Sequence, residues 1–235
     1  MAAQVSVAEI AQSIAKHLRL LSGQGIAGFD CSQETRTLLK QGFHQKGSGP
    51  KAIGVGLEAE ALSCTDCPLH KERINGVFAQ GDPGAALMLA GIAPGMEESK
   101  AGLPFQGEVG GLLDNILKAM GMTRDDVYLC NLVKCPVPDG ELPDPMCLRA
   151  CSRFFRKQVE AVRPQVICAF GQITAEAILK QDLPYSRVRG QLQPYLGMRV
   201  MPTFHPRELL TAPQKKRAVW QDMQAIMRAI GKPLS

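Results

Sequence analysis

Eight cysteines punctuate the 235-residue sequence, at positions 31, 64, 67, 130, 135, 147, 151 and 168. Cys64 and Cys67 form a C-x2-C pair, and Cys135 and Cys151 bracket a proline-rich stretch. Four thiolates from two distant segments can therefore meet at one site. Such a set holds zinc tetrahedrally or binds a 4Fe-4S cluster, and ligand type alone leaves both open. Cys147 stands one helical turn before Cys151 and can replace it if that stretch is a helix. Cys130 and Cys168 fall in apolar runs, where a cysteine is normally a small buried hydrophobe.

Other chemistry-bearing residues stand just after apolar, strand-like runs. Asn131 follows Val127 to Cys130, and His205 sits in Thr203-Phe204-His205-Pro206. Gly91, Ile92 and Ala93 open a loop that leads to Glu97 and Glu98. Phe105 lies among Gly102, Pro104 and Gly107, a loop composition in which an aromatic ring is less often plain core.

These residues need a scaffold. From Ala85 onward, short apolar runs alternate with helical patterns, which predicts crossover units around a parallel sheet covered on both faces. The expected strands are Ala86 to Ala90, Val127 to Leu132, Val166 to Phe170 and Arg199 to Thr203. The expected helices are Val109 to Met120, Leu148 to Val162, Ile173 to Gln181 and Gln214 to Ile230. The predicted fold is a three-layer α/β sandwich with a central four-stranded parallel sheet. Ligands of such sheets bind beyond the carboxyl ends of the strands, where Gly91, Asn131 and His205 would lie.

Ahead of this region, Val7, Ile10, Ile14, Leu18 and Leu21 recur at helical spacing, and Gly23 to Gly56 has a linker-like composition with a short helix expected at Glu34 to Gln41. The expected organisation is an N-terminal helix and linker over residues 1–60 and one domain over 61–235.

Net charge is +5, from 27 Lys and Arg against 22 Asp and Glu. From Lys180 to Ser235 there are ten basic residues and three acidic ones, so the whole surplus sits at the C-terminal end, where it can grip an anionic partner. No apolar run approaches the roughly 20 residues of a membrane span, and the first ten residues lack the pattern of an export signal. A cytoplasmic protein with reduced thiols is expected.

Taken together, several segments resemble the iron-sulfur-containing family 4 uracil-DNA glycosylases. They are Cys64-Thr-Asp-Cys67-Pro-Leu-His, Gly91-Ile-Ala-Pro-Gly95, Gly102-Leu-Pro-Phe105-Gln-Gly, Asn131-Leu-Val-Lys-Cys135-Pro, Cys151, Arg163-Pro, Arg189-Gly190 and Thr203-Phe-His205-Pro-Arg-Glu-Leu-Leu210. The match covers about Ser63 to Gly231. Each piece is weak alone, and their order and spacing together are specific.

The resemblance implies a 4Fe-4S cluster on Cys64, Cys67, Cys135 and Cys151, and excision of uracil or another deaminated base from DNA by a monomer. The base would be flipped into a pocket at Gly91, Ile92 and Ala93, stack on Phe105, and be read at its O4 and N3-H by Asn131. His205 would hydrogen-bond O2 as negative charge grows on the departing base. Glu98 would position water or crowd the methyl group of thymine; alternatively, Glu97 and Glu98 are the acidic first turn of a helix. Arg187, Arg189, Arg207 and Lys215 would hold phosphates while Leu209 or Leu210 fills the gap in the stack.

The sequence departs from the family at Ile92, where a glutamate is usual, and Ile cannot polarise water. Ser186-Arg-Val-Arg-Gly190 lacks the His with which a related subclass traps the abasic sugar, so covalent capture is not expected. The alternative reading is a non-catalytic iron-sulfur DNA-binding protein of the same fold.

Overall fold

The computed structural model describes residues 55–138, 141–180 and 184–233. The helix expected at Ser6 to Leu21, the one at Glu34 to Gln41 and most of the linker lie outside the described residues. α1 (Val55–Ser63) runs across residue 60, and its Ala61 is buried against Phe78, Val133 and Phe154.

Strand β1 (Ala79–Gly81) precedes β2 (Leu87–Gly91), followed by α2 (Met96–Ala101), α3 (Gly107–Ala119) and β3 (Tyr128–Asn131). Next come α4 (Pro145–Val162), β4 (Val166–Phe170), α5 (Gln172–Leu179), α6 (Tyr185–Val188), β5 (Gln193–Tyr195) and β6 (Met198–Thr203). α7 (Pro206–Thr211) and α8 (Lys216–Ala229) complete the described chain. No described helix is long and apolar enough to cross a membrane.

The sheet order is β1-β3-β2-β4-β6-β5. β3, β2, β4 and β6 pair in parallel, whereas β1 pairs antiparallel with β3 and β5 antiparallel with β6. The sheet is thus mixed and six-stranded, which corrects the expectation of four parallel strands. Both added strands are three-residue edges, Ala-Gln-Gly and Gln-Pro-Tyr, with neither an apolar run nor alternation to mark them.

Side-chain alternation divides the core into two layers. On one face, Leu87, Leu89, Leu129, Cys168 and Met201 pack with Leu113 and Leu117 of α3 and Met223 and Ile226 of α8. On the other, Met88, Ala90, Cys130, Ile167 and Val200 pack with Phe155 and Val159 of α4 and Ile178 of α5. Burial on both faces explains why the parallel strands read as unbroken apolar runs. Register then sets Gly91 beside Asn131 and Phe170 beside Thr203, so the ends of all four strands share one edge of the sheet.

Candidate active site

A cavity of about 580 Å³ opens at that edge, lined by Ile92, Ala93, Glu98, Phe105, Asn131 and His205 among others. Gly91 lies beneath it. A Cβ at Gly91 would stand 2.2 Å from Asn131 Oδ1 and 3.2 Å from Phe105 Cζ, so only glycine lets the amide and the ring come this close.

Asn131 is 2 % exposed, and its Nδ2 donates to Glu98 Oε1 at 3.1 Å. The same oxygen accepts from the Phe105 amide at 2.7 Å, and Oε2 accepts from the Gly95 amide at 2.7 Å. An ionised carboxylate can only accept, so Asn131 must turn its nitrogen toward Glu98, which leaves Oδ1 and the second N–H for a ligand. Glu98 is the third residue of α2, and its side chain reaches back to the amide of the N-cap residue Gly95. Glu97 and Glu98 lie in the first turn of α2, and the Glu98 side chain also holds the Phe105 amide and Asn131. Burial pushes its carboxyl above the ordinary 4.5, against hydrogen bonds from Gly95, Phe105 and Asn131 and the charge of Arg207.

His205 is the N-cap of α7, with Pro206 at the first helical position. Its backbone N–H donates to Glu208 Oε1 at 3.0 Å, and its Nδ1 accepts from the Arg207 amide at 3.1 Å. A neutral ring that accepts at Nδ1 carries its proton on Nε2. Burial, helped by the charge of Arg207 and opposed by Glu208, pushes the imidazole down to about 4. The ring is thus a neutral donor at physiological pH.

Phe105 lies 3 % exposed between α2 and α3, edge-on to Phe170 at 5.8 Å and at 29° to the His205 ring at 6.4 Å. Its φ of 52° is left-handed, a conformation that costs a bulky residue about 1–3 kcal/mol. Ile92 is half-buried and forms an apolar wall of the cavity, its carbonyl bound by the Val133 amide at 2.9 Å.

The thiols form a second group. Cys64 follows α1, Cys67 caps the turn Pro68–Lys71, Cys135 follows β3, and Cys151 is buried in α4. Cys64 and Cys151 belong to the apolar cluster around Phe78 and Phe154. Arg73 donates to Cys135 Sγ at 3.5 Å and to the Cys64 carbonyl at 2.9 Å, and Arg153 donates to Cys64 Sγ at 3.7 Å. Burial raises the Cys135 thiol, with Arg73 opposing and Cys67 and Cys64 adding to the rise. Burial likewise pushes the Cys151 thiol up to about 11, with Lys134 opposing and Cys135 and Cys64 adding to the rise. Cys147, also pushed up to about 11 by burial, has its sulfur in contact with Cys67, one of the expected ligands. Cys130 and Cys168 are fully buried in the sheet. Among the described residues, no three His, Cys, Asp or Glu side chains are gathered to hold a single metal ion.

Residues 78–224, well over half of the chain, match the family model of the Uracil DNA glycosylase superfamily. The chain is also 38% identical over 173 residues to a Type-4 uracil-DNA glycosylase of Thermotoga maritima, covering 72% of this chain and 90% of that protein. The chain belongs to the Uracil DNA glycosylase superfamily. Type-4 uracil-DNA glycosylases of Archaeoglobus fulgidus, at 34% identity over 74% of this chain and 91% of that protein, and of Saccharolobus solfataricus, at 31% over 75% and 86%, agree.

Around this superfamily site the expected DNA contacts divide. Arg187 and Arg207 are exposed, and Arg207 and Leu210 line the cavity. Leu209 is 2 % exposed in the core layer with α8, where burial contributes about 1.5–3 kcal/mol, whereas Leu210 is at the cavity. Arg189 is held by buried Asp222 at 2.9 Å, and Asp222 Oδ2 also accepts from Thr203 Oγ1 at 2.6 Å. Lys215 pairs with Glu208 at 2.7 Å. Arg189 and Lys215 both lie over the Phe204 ring, at 4.9 Å and 4.5 Å from its centroid, and so flank the residue next to His205.

Lys134 stands just beyond β3, among the strand-end residues of the sequence, with no role assigned to it there. It is 1 % exposed and donates to the Asn131 carbonyl, to Gln158 Oε1 at 2.6 Å and to the Phe78 carbonyl at 3.5 Å. Gln158 in turn donates to Tyr128 Oη at 3.0 Å. This buried network fixes the end of β3 from behind. The available signal was a lysine between Asn131 and Cys135, at the end of an apolar strand.

Proposed function

We infer that this protein excises uracil from DNA by hydrolysing the N-glycosidic bond, leaving an abasic site. Membership of the superfamily and the Type-4 relatives support the activity. The observation that carries the mechanism is the Arg207 amide on His205 Nδ1, which assigns the ring proton to Nε2 of a side chain that lines the cavity.

In the proposed complex, a uracil flipped out of DNA stacks on Phe105, and Asn131 donates its second N–H to O4 while Oδ1 accepts from N3–H. Cytosine presents the reverse pattern at those positions and would leave two buried groups unpaired, which rejects it. As the glycosidic bond stretches, negative charge moves onto the base and reaches O2, where neutral His205 donates from Nε2. Such a preset donor acts without reorganisation. The sugar becomes cationic and water adds to it, as in other glycoside cleavages. With an apolar side chain at 92, catalysis draws on stabilising the leaving base more than on a general base at that position. The exposed Arg187 and Arg207 contact phosphates, and Leu210 at the cavity edge enters the vacated stack. The acting unit is proposed to be a monomer.

Cys64, Cys67, Cys135 and Cys151 are proposed to hold a 4Fe-4S cluster. All four donors are sulfur, and Arg73 and Arg153 aim N–H groups at two of them, as suits thiolates that carry negative charge. A four-iron cluster offers a separate corner to each thiolate, so the sulfurs need not converge on one point. When bound, the cluster would tie α1, the end of β3 and α4 together, while the excision chemistry is carried by the chain's own residues.

The retained base-reading groups disfavour the alternative of a non-catalytic DNA-binding protein. Release of uracil from a labelled oligonucleotide by anaerobically purified protein tests the activity, and iron and sulfide analysis with the visible spectrum tests the cofactor. No release at any enzyme excess would reject the activity; zinc in place of iron would reject the cluster.

A further inference from the structure

The platform residue Phe105 is held by a side chain outside the cavity. Arg124, which starts the short turn Arg124–Asp126 before β3, donates from Nη2 to the Phe105 carbonyl at 2.7 Å and from Nη1 to the Pro104 carbonyl at 3.2 Å. Its guanidinium is fixed in turn by Asp114 Oδ1 of α3 at 2.6 Å and by Gln80 Oε1 of β1 at 3.0 Å. The Phe105 residue is therefore gripped at both ends, with its N–H on Glu98 and its carbonyl on Arg124. Between them these bonds impose the left-handed φ of 52° that turns the ring into the cavity.

Gly110 completes the clamp. A Cβ there would lie 2.2 Å from the Phe105 carbonyl oxygen and 3.0 Å from Arg124 Nη2, so the first turn of α3 is bare where the carbonyl and the guanidinium meet.

We propose that Arg124 is a positioning residue for excision, setting the plane on which the flipped base stacks. The proposal rests on the reading of Phe105 as that platform. The guanidinium does this because its planar fork reaches two successive carbonyls and two anchors at once, which an ammonium cannot do. Arg124 lies outside the cavity lining, so it touches neither base nor sugar and acts only through the backbone of Phe105.

The test compares Phe105→Ala, Arg124→Met, Arg124→Lys, Gly110→Ala and the double variant Arg124→Met/Phe105→Ala with the wild type. Three quantities are read: single-turnover uracil release at saturating DNA, affinity for uracil-free DNA, and the thermal midpoint. Arg124→Met should release uracil roughly tenfold to a hundredfold more slowly, the scale of a small misplacement of reacting groups. Arg124→Lys should fall between it and the wild type, and affinity for uracil-free DNA should be unchanged. Gly110→Ala favours the helix yet should slow release by displacing the same carbonyl.

The double variant should be no slower than Phe105→Ala alone, because one residue acts through the other. A purely structural Arg124 would instead give losses that multiply, and that result overturns the proposal. Wild-type release by Arg124→Met overturns it as well. Wild-type release by Phe105→Ala refutes the platform reading itself, an outcome distinct from a slow Phe105→Ala beside a fast Arg124→Met. Where Arg124→Met does not fold, Arg124→Lys and Gly110→Ala carry the comparison.

Discussion

Asn131 Nδ2 donates to Glu98 Oε1 at 3.1 Å, on a carboxylate that already accepts from the amides of Gly95 and Phe105. One acidic side chain therefore starts a helix, anchors the aromatic platform and orients the base-reading amide. Glu98→Gln replaces one acceptor oxygen with a donor and sets it against groups that also donate. Single-turnover uracil release should fall by about tenfold to a hundredfold, while affinity for uracil-free DNA holds. Rates measured on Glu98→Gln and wild type at saturating DNA check this. Because the carboxyl must be ionised to serve its three donors, activity should also fade as pH drops through its raised pKa, above 4.5.

His205 gives a separate pH signature. Its folded pKa of about 4 lies below the ordinary 6.5, so between those values the unfolded chain binds more protons than the native one. Its contribution makes stability rise from about pH 4 to 6.5 and stay level above. Excision should show no step from this histidine between pH 6 and 8. Nitrogen-15 spectra should report a neutral ring with its proton on Nε2 across that range, and an imidazolium at pH 7 would contradict the assignment.

The basic residues should separate by what holds them. Arg187→Ala should weaken binding to any DNA and reduce the salt slope by about one unit. Arg189→Ala should instead lower stability by about 1–3 kcal/mol, because buried Asp222 loses a charged donor. Salt-dependent affinities and denaturant unfolding of both variants distinguish the two outcomes.

Ile92→Glu restores a carboxylate at the cavity wall. If water activation limits the present enzyme, release should rise by roughly a hundredfold, the lower end of the usual range of general-base contributions. Single-turnover rates of Ile92→Glu beside the wild type measure it, and an unchanged rate would show that leaving-group stabilisation sets the pace alone.

Legibility in the sequence followed burial. β2, β3, β4 and β6 fall within a few residues of the expected runs because both faces of each are covered, leaving an apolar signature. β1 and β5 are three-residue edges whose identity comes from pairing, which no local pattern records. α4 starts three residues earlier than the apolar spacing indicates, because Asp144 accepts from the Met146 amide and Pro145 opens the helix. In the site, the side-chain types at 131 and 205 and their place after strands were readable. The carboxylate of Glu98 turned toward Asn131, the commitment of Arg189 to Asp222, and the burial of Leu209 depend on contacts between residues far apart in sequence.

The most direct measurement is single-turnover uracil release at saturating DNA by Asn131→Ala and His205→Ala beside the wild type. Each variant removes a group used on the flipped base while leaving the phosphate contacts intact. Release should slow by roughly 100 to 1000-fold for His205→Ala, the usual worth of one donor to developing negative charge, and DNA affinity should change little. Asn131→Ala should also slow, and should gain activity toward cytosine relative to uracil. Wild-type rates from both variants would remove the strand-end cavity from the chemistry and contradict the mechanism.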